Sequence, residues 1–196
     1  MSDLSTDQYL TLAQTKLEVA RRHLIELESD LPSASVSDPA SATDSRAGIE
    51  GHADGCVTQA YAAFDTYACA VARHFGLAKP DRASLNGLVA RLSEPSLPSA
   101  DGTLQTCVAV REVVESSGWS RLSVYRNLAV HRGVVAGRTH FSLETGFTLR
   151  ISDMDGPDPR GAEAVPILRE LLGWAEKTLL PLVTVAEGWP DSEDLE

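Results

Sequence analysis

The chain lacks any apolar run approaching the roughly 20 residues needed to span a bilayer, and its opening, MSDLSTDQYL, has neither the basic region nor the apolar core of a secretion signal. No membrane association and a cytoplasmic location are therefore expected. There is no CxxC pair. Cys56, Cys69 and Cys107 are odd in number and sit among small or apolar neighbours, so they fit small core residues better than zinc or redox chemistry. No GxSxG elbow marks a serine nucleophile. Gly133 and Gly137 are followed by no Lys-Ser/Thr ending, which argues against a phosphate-binding P-loop. His23, His52, His74 and His140 show no spacing typical of metal ligands, so neither a metal nor a cofactor is expected. Bases are also scarce: 17 Lys and Arg face 28 Asp and Glu, and a net charge of -11 opposes indiscriminate attraction to nucleic acid.

What is present is a normal globular composition, 43% hydrophobic and 23% charged over 196 residues. That length suits one domain with one core, expected over residues 1–186. Leu10, Ala13, Leu17, Ala20, Leu24, Leu27 and Leu31 alternate spacings of three and four, placing one apolar stripe on a helix that a Ser5/Gln8 capping box would start. Residues 29–48 combine Pro, Ser, Asp and small side chains without periodicity and are expected to be a mobile loop. A second seam then runs from Ile49 through Ala53, Cys56, Ala60, Tyr67 and Val71 to a stop at Gly76, with Gly51 and Gly55 weakening its first turns.

A short helix holding Leu85, Leu88, Val89 and Leu92 follows. Leu104, Cys107, Val108, Val110 and Val114 define the apolar face of the next, which should end at Gly118. Another helix is expected from about Trp119, a core anchor with Ser120 as its neighbour or cap, to Arg132. Residues 138–152 alternate on either side of ETG and predict a hairpin, with Gly146 in a left-handed turn position. Val165, Leu168, Leu171, Leu172, Ala175 and Leu179 outline the last helix, with Pro166 in its opening turn. The acidic segment 187–196 is expected to be a disordered tail. The fold class is mainly α: a bundle of four main helices plus a short one, with a β-hairpin inserted before the last helix.

Within this frame the stretch SVYRNLAVHRG, residues 123–133, stands out. Asn127 and His131 are one helical turn apart and share a face, whereas Arg126 lies about 140° around the helix from His131. One copy would not bring Arg126 and His131 together. A two-fold pair could, with each arginine approaching the partner copy's histidine. Histidine exchanges a proton near neutral pH, arginine grips a phosphate, and asparagine orients either. These groups suffice for RNA cleavage without a metal. Between Trp119 and Arg150 there are five arginines (121, 126, 132, 138 and 150) and one acid, Glu144, so a local basic surface is compatible with an acidic whole. Tyr125 suits core or dimer packing, and Asp54 and Asp65 on the second helix suit an exposed face.

RNLAVH resembles the Arg-x(4–6)-His signature of HEPN domains, in which a polar residue, often Asn, follows the Arg. The specific likeness covers about ten residues, and the general likeness to a HEPN-like helical bundle extends over most of the chain. The resemblance implies a homodimeric, metal-independent endoribonuclease acting on tRNA or mRNA, of the kind found among toxins and phage-defence components, with an antitoxin or defence partner. By position it makes Arg126 and His131 the catalytic pair and Asn127 the positioning residue; Arg132, and Arg138 at the hairpin entry, are expected to bind substrate by extending the phosphate-binding surface. Gly133 stands where related toxins controlled by a nucleotidyltransferase often carry a tyrosine, which argues against that control. The alternative is a non-catalytic HEPN-like module that binds RNA, nucleotide or a partner. A purely structural protein would instead use Arg126 for an ion pair and His131 to cap a carbonyl.

Overall fold

The computed structural model describes residues 4–33, 39–93, 101–132, 138–142, 146–151 and 161–189. At residues 33, 39–42, 101–103, 131–132, 138, 140–142 and 146–147 it describes the backbone alone. The order is α1 (Thr6–Ser33), α2 (Pro39–His74), a 3-10 turn (Pro80–Arg82), α3 (Leu85–Leu92), α4 (Asp101–Glu115), α5 (Ser117–Arg132), β1 (Arg138–Ser142), β2 (Gly146–Ile151), β3 (Ala162–Glu163) and α6 (Ala164–Ala186). The chain is mainly helical, with a small antiparallel sheet before the last helix. No helix among the described residues is long and apolar enough to cross a membrane.

Local chemistry sets several of these boundaries. The Ser5 backbone N-H donates to Gln8 Oε1 at 2.8 Å, and the Gln8 N-H donates to Ser5 Oγ at 3.3 Å, forming the reciprocal capping box. Gly76, at φ 63°, closes α2. There the Leu77 N-H bonds the Ala72 carbonyl at 2.8 Å and the Gly76 N-H bonds that of Arg73 at 3.2 Å. This is a Schellman ending, which needs the left-handed conformation that glycine adopts without a Cβ clash. Ser84 caps α3 by accepting from the Gly87 N-H.

Three expected features are corrected. Residues 29–33 end α1 and 39–48 open α2, so helix occupies most of the expected loop, and residues 34–38 lie outside the described set. Pro39 stands at the first position of α2, where a missing N-H breaks no intrahelical bond, and Pro32 falls in the last turn of α1. The short polar side chains that resemble a loop therefore do not prevent helix. Secondly, there are five long helices and one short one among the described residues instead of four and one, and Ser116 alone separates α4 from α5. The Ser116 N-H bonds the Val113 carbonyl at 3.1 Å, and Ser116 Oγ accepts from the Trp119 N-H at 3.1 Å. One residue thus finishes one helix and caps the next, a role expected of Gly118 and Ser120 instead. Thirdly, α4 buries Thr106, Cys107, Val110 and Val113, whereas Leu104 and Val108 are 68% and 46% exposed.

The chain forms two compact units: residues 1–17, 61–120 and 174–196, and residues 18–60 and 121–173. In the first, the latter half of α2 is buried all round at Tyr67, Ala68, Cys69, Ala70, Val71 and Ala72. Burial pushes the Tyr67 phenol well above its usual pKa. An aromatic cluster anchors this core: Trp119 stacks on Tyr61 at 4.7 Å and meets Phe64 edge-on at 5.4 Å, and Phe64 stacks on Trp174. The Trp119 Nε1-H donates to Asn86 at 2.8 Å. Trp119 is therefore the core anchor expected of it.

In the second unit, buried residues come from α1 (Ala20, Leu24, Leu27), α2 (Ile49, Ala53, Cys56, Val57), α5 (Leu122, Tyr125, Ala129), β2 (Leu149, Ile151) and the first half of α6. The predicted hairpin forms, pairing Arg138 with Arg150 through to Ser142 with Gly146, and leaves only residues 143–145 of its turn outside the described set. Gly146 is thus the first residue of β2. A third strand, not expected, pairs Arg150 with Glu163. Arg150 Nε also donates to the Gly161 carbonyl at 3.2 Å, where Gly161 holds φ 77°.

Glu187, Gly188 and Trp189 correct the view of residues 187–196 as a disordered tail. Glu187 accepts from Gln14 Nε2 at 3.0 Å, and Trp189 stacks on the His74 ring at 4.4 Å. The acidic character suggests solvent, but Trp189 carries apolar area that is covered by packing. Residues 190–196 lie outside the described set.

Candidate functional site

Helix α5 carries the Arg-Asn-His stretch. Trp119, Leu122, Tyr125 and Ala129 form its buried stripe at spacings of three and four, which fixes how the helix is rotated. Tyr125 is 1% exposed and belongs to the core. The rotation leaves Arg126 half-buried and Asn127 exposed, beside Val130 at 52% exposure. Arg126 Nη1 donates to Asn127 Oδ1 at 3.0 Å. The asparagine side chain thus accepts a hydrogen bond from the guanidinium of its neighbour.

The helix continues unbroken through His131 and Arg132. Asn127 and His131 therefore occupy successive turns of one face, and positions 126 and 131 remain about 140° apart around the axis. The side chains of His131, Arg132, Arg138 and His140 lie outside the described set. Ser123, inside the same stretch, has a buried hydroxyl with no hydrogen-bond partner among the described residues.

Of the five arginines expected to form a basic surface, Arg121, Arg126 and Arg150 have described side chains. Arg121 makes a forked contact with Glu170, at 2.8 and 3.5 Å, which offsets its charge. Arg150 is turned onto the Gly161 carbonyl. Of the two acids expected on an exposed face, Asp65 is instead half-buried and accepts from the Leu85 N-H at 3.0 Å, so holding the start of α3. Asp54 is half-buried on α2. A groove of about 270 Å³ lined by Val113, Ser116, Trp174 and Leu182 contains none of the expected site residues. All three cysteines are buried, as expected. Burial raises the Cys69 thiol above its ordinary pKa, against a weak bond to the Ala83 carbonyl at 3.6 Å.

A second cluster has no counterpart in the sequence reading. His23 of α1 and His52 of α2 are 29 residues apart, yet their Nδ1 atoms are 3.2 Å from each other. Glu26 Oε2 lies 3.1 Å from His52 Nδ1 and 3.9 Å from His23 Nδ1. Asp30 Oδ2 lies 3.4 Å from His52 Nε2. His23, Glu26 and Asp30 fall on one face of α1 because their spacings are three and four. Gly55 makes room for them: a Cβ there would stand 2.7 Å from the His23 ring. The available local signal was this one-face spacing together with a glycine inside a helix.

Compared with protein-family models, curated proteins and solved structures, the chain matches none.

Proposed function

We propose that this protein is a HEPN-like, metal-independent endoribonuclease that acts as a homodimer, in the manner of a toxin or phage-defence component. The single observation that carries the reading is the Arg126–Asn127 hydrogen bond on α5, one turn from the position of His131. It supplies a restrained cation on the same helix as a residue able to exchange a proton. The angular separation of positions 126 and 131 within one helix favours a site shared by two copies, each giving its arginine to the other's histidine. Val130, exposed on this helix, adds apolar surface for such a pairing.

In this reading, one His131 takes the proton of the ribose 2'-hydroxyl and the 2'-oxygen attacks phosphorus. Bond breakage to the 5'-oxygen follows, and the second copy's histidine returns a proton to that leaving oxygen. Arg126 stabilises the charge that grows on the non-bridging oxygens, and Asn127 keeps the guanidinium aimed. Arg132 and Arg138 extend the phosphate contacts. The products are a 2',3'-cyclic phosphate and a 5'-hydroxyl, and no metal takes part.

The test is cleavage of total RNA and tRNA by the purified protein in EDTA. His131→Ala should lower the rate by about 10²–10⁴-fold and Arg126→Ala by about 10²–10³-fold, with helicity and dimer unchanged. Activity retained in both variants would refute the assignment. Binding of RNA without turnover by the wild type would favour the non-catalytic module.

A further inference from the structure

We propose that His23, Glu26 and His52 form a binding site for a divalent transition ion, Zn²⁺ first, with Asp30 as the outer partner of His52. The proposal is independent of RNA cleavage and rests on how the ligand atoms face one another. In a tetrahedral zinc site with Zn–N near 2.0–2.1 Å, two nitrogen ligands stand about 3.3 Å apart. The two Nδ1 atoms here are 3.2 Å apart and the nearer nitrogen-to-carboxylate distance is 3.1 Å. All three ligand atoms lie within 4.8 Å of one another.

Asp30 Oδ2 lies 3.4 Å from His52 Nε2, the ring nitrogen opposite the proposed ligand atom. A carboxylate on the far nitrogen is the usual outer arrangement of a metal-binding histidine, where it fixes the tautomer and raises ligand basicity. Two imidazoles and one carboxylate suit a borderline ion such as Zn²⁺ over Mg²⁺ or Ca²⁺, which prefer oxygen. His23 and His52 side chains are 29% and 24% exposed, so an ion has access from solvent.

Titration of the full chain with Zn²⁺, by competition against a chromophoric chelator, should reveal one site, and Co²⁺ should give ligand-field absorption bands in the visible. His23→Ala, His52→Ala and Glu26→Gln should each weaken binding at least 10-fold, and Asp30→Asn by about 10–100-fold. Gly55→Ala, which removes no ligand but crowds the His23 ring, should also weaken it. In the unaltered protein, Zn²⁺ should shield both histidines from acylation by diethylpyrocarbonate, a readout that does not depend on any variant folding. Absence of binding, or binding undiminished in the His23→Ala/His52→Ala double variant, would overturn the proposal.

Discussion

Replacing Gly118 by alanine opposes two effects of known sign. Within α5, alanine is favoured over glycine by up to about 1 kcal/mol, less so near a helix start. Against this, a Cβ at position 118 would fall 2.2 Å from the Trp174 ring. No rotation of a flexible end relieves that contact, because Trp174 is itself stacked on Phe64 at 5.4 Å. Overpacking of this kind costs about 1–3 kcal/mol, so the net loss should be about 1–2 kcal/mol, lowering Tm by about 2–4 °C per kcal/mol in a chain of this size. Gly51→Ala is the matched control. It is also helical, with nothing among the described residues within 4 Å of the added Cβ, and should gain about 0.5–1 kcal/mol. Urea unfolding followed by tryptophan fluorescence measures both. If Gly118→Ala proves as stable as Gly51→Ala, the close packing of α5 on Trp174 is not as described.

Two further outcomes follow from packing and capping. Ser116→Ala removes the hydroxyl that accepts from the Trp119 N-H, and should cost about 1 kcal/mol; Ser116→Asp, which can still cap, should recover most of it in the same unfolding assay. His74 is buried against Trp189, and desolvation lowers its pKa below the ordinary value. The unfolded chain therefore takes up the proton first, so stability should be constant above about pH 6.5 and fall as pH drops from there toward the lower folded value. The wild-type minus His74→Phe difference in unfolding free energy between pH 7.5 and 5 isolates this term, and a difference that does not change with pH would contradict it.

The cap at Ser5, the helix end at Gly76 and the existence of the hairpin were legible because each depends on residues a few positions apart in the chain. The apolar seams of α1 and α2 were legible for a similar reason: helical period alone aligns Leu10 through Leu27. Composition misled at residues 29–48, where small polar side chains permit loop and helix alike and the structure adopts helix on both sides of residues 34–38. It also misled at Leu104 and Val108, since periodicity identifies a stripe but not whether a neighbour covers it.

For the candidate site, the sequence by itself determined that Arg126, Asn127 and His131 lie on one helix, with the angular offset between 126 and 131 that helical geometry imposes. Only the tertiary structure decided which side of α5 turns inward, through Leu122, Tyr125 and Ala129, and that Glu170 offsets the charge of Arg121. Only it could bring His23 to His52. Spacing along a helix carries information over a turn or two, whereas two positions 29 residues apart meet only when separate helices pack, and that depends on the buried surface of the whole unit.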